Sequence, residues 1–117
     1  MLNPPNNVSI YLCAQPVDLR KSFDGLSGLV ESVFQRNVVD GHLFLFVNKR
    51  RDRIKALWWD HDGLVLWYKR LESGSFETPP SVADQTHLTL DETELAMLLG
   101  GVSLASAKRR KRFSLAS

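Results

Sequence analysis

Apolar residues recur along this chain with two different periods, and each change of period marks a new element. Val8, Ile10 and Leu12 alternate through VSIYLC, which predicts a first strand over Val8–Cys13. Pro16 keeps the following connection from continuing it. From Ser22 to about Arg36 the period lengthens: Leu26, Leu29, Val30, Val33 and Phe34 have the spacing of a helix with one buried stripe. Ser22 is placed to cap its first turn, and Asp24 suits the positive end of the helix dipole. Gly25 and Gly28 each weaken such a helix by about 1 kcal/mol relative to alanine, and are expected to let its backbone approach a sheet closely.

Asp40-Gly41 turns the chain into His42–Val47, a run apolar on both sides that reads as a central strand covered on both faces. A turn at Asn48–Asp52 leads to a third strand, Ile54–Asp60, and a fourth, Leu64–Leu71, reversed at Asp62-Gly63. With those two as the turn residues, Lys55 would face Arg70, Leu57 would face Tyr68 and Trp58 would face Trp67. Lys55, Trp59, Tyr68 and Arg70 then share one face, and a slip of one residue would exchange the faces. Thr86–Leu90 predicts a short last strand. Asp91 and Glu94 have the spacing of a reciprocal cap, Leu95, Leu98 and Leu99 form the stripe of a short helix, and Gly100-Gly101 ends it.

The expected fold is therefore α+β: a mainly antiparallel sheet of four or five strands, one long helix on a face and a short helix near the carboxyl end. One sheet face packs on the long helix. The other is covered by the short helix, a ligand or a homodimer partner. At 117 residues the size fits one domain, 1–107, followed by a basic tail, 108–117, that has no apolar period and reads as flexible.

Charge sharpens this outline. The formal net charge is only +2, yet residues 42–71 carry seven basic and three acidic groups, whereas residues 72–107 carry six acids and no Lys or Arg. The basic set comprises Lys49, Arg50, Arg51, Arg53, Lys55, Lys69 and Arg70, interleaved with Trp58, Trp59, Trp67 and Tyr68. Cations beside flat rings suit a polyanion with bases to stack on. The tail adds Lys108, Arg109, Arg110, Lys111 and Arg112, a run typical of nonspecific phosphate contact. Lys55 opposite Arg70 would repel unless an anion lay between them. The plainer reading is that Trp and Tyr build a sheet core and the loop cations are simply solvated.

Catalytic chemistry finds little support. Asp18, Asp24, Asp60 and Asp62 are candidates for magnesium binding, but turn and capping roles explain Asp24, Asp60 and Asp62 better. His42, His61 and His87 lack ligand spacing, and the single Cys13 excludes an intramolecular disulfide and a cysteine-based zinc site. FDGLSGL matches neither a P-loop nor a dinucleotide fingerprint. The expectation is no enzymatic activity, no metal and no cofactor. No apolar run reaches the ~18 residues of a membrane span, and MLNPPNNVS lacks the marks of a secretory signal.

Taken together, DLRKSFDGLSGLV (Asp18–Val30), HLFLFVNKRRDRIKALWWDHDGLVLWYKRLESGSF (His42–Phe76) and ELAMLLGGV (Glu94–Val102) give the chain a family likeness over roughly Val8–Val102. It resembles the small TnpB accessory proteins, or transposon Orf2-like proteins, of bacterial insertion-sequence family sixty-six. The resemblance implies a non-catalytic component of a mobile DNA element, made beside a separate, larger transposase and acting in the bacterial cytoplasm. It supplies no catalytic residues.

Two functions follow. In the first, Arg20, Lys21, Lys49, Arg50, Arg51, Arg53, Lys55, Lys69, Arg70 and the tail cations contact DNA phosphates, with Trp59 or Tyr68 stacking on bases. In the second, the protein is an adaptor that docks the transposase through Trp58, Trp59 and Trp67 without touching DNA.

Overall fold

The computed structural model describes residues 4, 5, 7–80 and 84–101. Among them the chain forms five strands, β1 (Ile10–Cys13), β2 (Leu43–Val47), β3 (Arg53–Asp60), β4 (Gly63–Arg70) and β5 (His87–Leu90). Two helices, α1 (Phe23–Ser32) and α2 (Glu92–Gly100), complete it, with a short 3-10 turn at Val38–Asp40. The strands make one sheet in the order β4-β3-β2-β1-β5.

That sheet is mainly antiparallel, as expected, but mixed, because one of its four pairings is parallel. β1 and β2 run parallel, with Ile10 beside Leu43 and Leu12 beside Leu45, while the other three pairings are antiparallel. The physical reason is the connection. α1 carries the chain back to the end from which β1 started, so β2 must run in the same direction.

All five residues of β2 are buried, as a central strand covered on both sides requires. On one face Tyr11, Phe44, Phe46 and Leu57 pack with Leu26 and Val30 of α1 and with Phe34. On the other, Leu12, Leu45, Ile54 and Ala56 pack with Leu95, Leu98 and Leu99 of α2 and with Phe76. The short helix therefore supplies the second cover.

The first helix is ten residues, shorter than its apolar stripe suggested. Gln35 takes a left-handed φ of 55°, and the Arg36 N–H reaches back to the Val30 carbonyl at 3.2 Å. This closure stops the helix and leaves Phe34 buried in the core just beyond it. Ser22 stands at the N-cap, but its side chain makes no capping hydrogen bond. The expected close approach of glycine to the sheet is also absent. Gly28 faces open space, and a Cβ on Gly25 would meet the Lys21 side chain at 3.1 Å.

α2 has the reciprocal cap that its sequence announces. The Asp91 carboxylate accepts from the Glu94 N–H at 2.7 Å, and the Glu94 carboxylate accepts from the Asp91 N–H at 3.1 Å. Gly101 closes the helix at φ 85°. Asp91→Ala is expected to lower stability by about 1 kcal/mol, which urea unfolding followed by circular dichroism will measure.

The hairpin turns at His61-Asp62, not at Asp62-Gly63, with His61 at φ 53° and Asp60 paired with Gly63. Each rung shifts by two residues: Lys55 faces Tyr68, Leu57 faces Leu66, Trp58 faces Val65, and Arg70 faces Arg53. A two-residue shift preserves side-chain alternation. Lys55, Trp59, Tyr68 and Arg70 thus keep their common face, and only their neighbours change.

Candidate nucleic-acid interface

The cationic turn between β2 and β3 is a tied loop. Asn48 organises it: its side-chain oxygen accepts from the Arg53 N–H at 3.1 Å, and its amide donates to the Asp52 carboxylate at 2.7 Å. The Arg51 N–H donates to the Asn48 carbonyl at 3.1 Å, with Arg51 at φ 60°. The chain beyond β4 clasps the same loop, because Leu71 N–H donates to the Asp52 carbonyl and Phe76 N–H to the Arg51 carbonyl. The hydrogen bond from Asn48 holds the Asp52 carboxyl below its usual range, and nearby Arg50 and Arg53 add to the effect.

Val17 N–H donates to the Val47 carbonyl at 3.0 Å, which brings the connection between β1 and α1 against the base of this loop. Between them lies a cleft of about 430 Å³. Pro16, Val17 and Leu19 give it an apolar wall. Asp18 and Arg20 complete that side, and Asn48, Lys49, Arg50 and Arg53 form the other. Two stretches more than twenty residues apart in sequence are thereby joined in one concave surface.

Arg53 links the cleft to the face of the hairpin, donating to the Tyr68 hydroxyl at 3.3 Å. Beside it the Lys55 ammonium lies 4.7 Å from the centre of the Tyr68 ring and donates to the Lys21 carbonyl at 2.8 Å. Lys55 is 7% exposed and is the buried charged residue among those described, whereas Tyr68 is 49% exposed. Trp59 lies farther along this face, half-buried, with its indole N–H donated to the His61 carbonyl.

Ion pairs divide the cations into two groups. Arg20 is bound to Asp18 at 2.6 Å and Arg70 to Glu72 at 2.8 Å. Among the described residues no ion pair takes up Lys49, Arg50, Arg53 or Lys55. The hydrogen bond from Arg20 holds the Asp18 carboxyl down at about 2, and the same bond raises the guanidinium of Arg20. The Asp18 carboxyl is depressed in the fold, so the contribution of the pair is present above the ordinary carboxyl value of 3.8 and is lost as pH falls through about 2. Carbon-detected NMR titration of Asp18 is expected to place its midpoint well below those of unpaired aspartates.

The remaining sequence candidates go elsewhere. The expected repulsion of Lys55 by Arg70 is replaced by Arg53 opposite Arg70, where Tyr68 takes one guanidinium and Glu72 the other. Lys69 points to the opposite sheet face, and Lys21 is exposed beside the cleft with its carbonyl turned to Lys55. Arg51 lines a smaller recess with Cys13, Gln15 and Thr78. Lys108, Arg109, Arg110, Lys111 and Arg112 lie outside the described residues. The sequence reading missed Asn48 as the organiser of the loop, and Asp18 and Glu72 as neutralising partners. The short spacings Asp-x-Arg and Arg-x-Glu were the available signals.

The catalytic candidates are dispersed into structural settings. His42 accepts from the Ser9 N–H, and His61 lies beside Asp60 at the hairpin tip. Burial, aided by Arg36, pushes the His87 imidazole down. Cys13 is buried, and its thiol is pushed up by desolvation.

Fold and site together define a three-layer helix–sheet–helix protein with a cationic, aromatic-edged cleft at one end of the sheet. Family membership adds the biological setting. The chain belongs to the IS66 Orf2-like protein family, whose match spans residues 8–109, and is thus associated with an insertion sequence. Two proteins of Sinorhizobium fredii (strain NBRC 101917 / NGR234) are similar along most of its length. The uncharacterized protein y4jC is 34% identical over 110 residues, 94% of this chain and 92% of that protein. The uncharacterized protein y4hO is 31% identical over 102 residues, 87% of each. No solved structure matches the chain.

Proposed function

We propose that this protein is a non-catalytic accessory factor of its insertion sequence that supports transposition by binding DNA. Phosphates enter the cleft at Lys49, Arg50 and Arg53, and the strand continues past Lys55 and Tyr68. The observation that carries the reading is the clustering of these cations without carboxylate partners among the described residues, while Arg20 and Arg70 are neutralised at the margins. A buried ammonium such as Lys55 is costly unless it is compensated. One carbonyl and one ring leave donor capacity for an arriving anion.

The test is a binding series against element-end duplex, random duplex and single strand at increasing salt. Affinity is expected to fall steeply with salt, and absence of binding at low salt overturns the proposal. Asp18→Asn removes the carboxylate from the cleft and frees Arg20. It is expected to raise DNA affinity by about threefold at low salt, measured by fluorescence anisotropy, whereas a loss of affinity would place the phosphates elsewhere.

A second reading, an adaptor for the transposase, is favoured by one observation: Trp58 and Trp67 pack only partly against the core at the outer hairpin. Capture of purified transposase that survives nuclease treatment would support it.

A further inference from the structure

Among the described residues the sheet ends at β4, an eight-residue strand hydrogen-bonded to β3 on one side only. Leu71 N–H donates back to the Asp52 carbonyl at 2.7 Å, which fixes the alternation. Odd-numbered peptides face β3, so those of Leu64, Leu66, Tyr68 and Arg70 face outward. Such a row is a template for another strand, and natural edges are usually blunted by proline, bulges or central charges. β4 has none of these: its register with β3 is continuous from Gly63 to Arg70, and its middle is Leu64–Tyr68.

We propose that β4 pairs antiparallel with the β4 of a second copy, about a two-fold axis perpendicular to the sheet at Leu66. Such an axis keeps each sheet face on its own side, so opposed residues must share a face. Centring on Leu66 meets that condition: Leu66 meets its own copy, Leu64 meets Tyr68, and Val65 meets Trp67. The outward peptides then face outward peptides, as an antiparallel ladder requires. Charge selects the same register. It places Asp62 of each turn beside Arg70 of the other copy, whose guanidinium holds Glu72 through Nε and Nη2 and keeps further N–H groups to donate, whereas moving the centre to Trp67 would set Asp62 against Glu72. The strand is thus complementary to itself in hydrogen bonding, apolar cover and charge. The pairing does not depend on the DNA reading, although it would set both cationic clefts on the same side of a ten-stranded sheet.

Sedimentation equilibrium of the full chain without DNA provides the test. A dimer is expected at ~100 µM, with Asp62→Arg and Arg70→Asp each weakening it about tenfold and the double exchange restoring it. Far-UV circular dichroism of each variant separates loss of pairing from loss of fold. A folded monomer at that concentration overturns the proposal and leaves the edge to an extended peptide of another protein. A dimer indifferent to the single changes, or one not rescued by the exchange, overturns it equally.

Discussion

Alanine at both Arg50 and Arg53 is expected to lower affinity for duplex DNA some tens-fold at ~0.1 M salt and to flatten the logarithmic salt slope by about two. Each guanidinium that neutralises a phosphate releases condensed counterions, so two lost contacts remove a factor that grows as salt is diluted. These two residues are chosen because they share the wall of the cleft and neither is held in an ion pair among the described residues. Stability should be unharmed, since the change at Arg53 also removes a like-charge rung with Arg70. Lys69→Ala, on the opposite sheet face, serves as the comparison and should leave the slope within half a contact of the parent. A double variant with an unchanged slope would show that the phosphates bind elsewhere.

Phe76→Ala is expected to cost about 3–5 kcal/mol. Phe76 is fully buried although it belongs to no helix or strand, and it fills the layer between the sheet and α2 beside Ile54, Leu95 and Leu98. Its N–H also ties the Arg51 carbonyl, so the residue anchors the cationic loop as well as the core. For a domain with a total stability of roughly 5–15 kcal/mol, such a loss leaves little reserve. Urea denaturation reports the loss, and Phe76→Leu, which preserves most of the apolar volume, should lose much less. A cost for Phe76→Ala below about 1 kcal/mol would mean that the site collapses around the cavity.

Much of this architecture was legible because it rests on local rules. The five-residue apolar run of β2 foretold two covered faces, and Asp91 with Glu94 foretold the cap of α2. Strand direction was not legible, because alternation reports which way side chains point and is blind to the polarity of the neighbour. The end of α1 was hidden for a related reason. Val33 and Phe34 continue a helical spacing, yet Phe34 is buried and Val33 half-buried just beyond the last helical turn, which closes through Gln35.

At the candidate interface, composition revealed which residues carry charge and alternation kept Lys55, Tyr68 and Arg70 together. Long-range packing decided the rest. Nothing near Asp18 in sequence indicates that Arg20 would face Lys49 and Arg50 across a cleft, and Lys55 would ordinarily be read as a solvated side chain.

The loop fastened by Asn48 and by the chain after β4 has a kinetic consequence. Its backbone is set before any partner arrives, so docking an anion there need restrict only the long side chains. On the proposed DNA-binding function, encounter is expected to be governed by diffusion through the protein's electric field, so that added electrolyte slows capture and no slow rearrangement step follows contact.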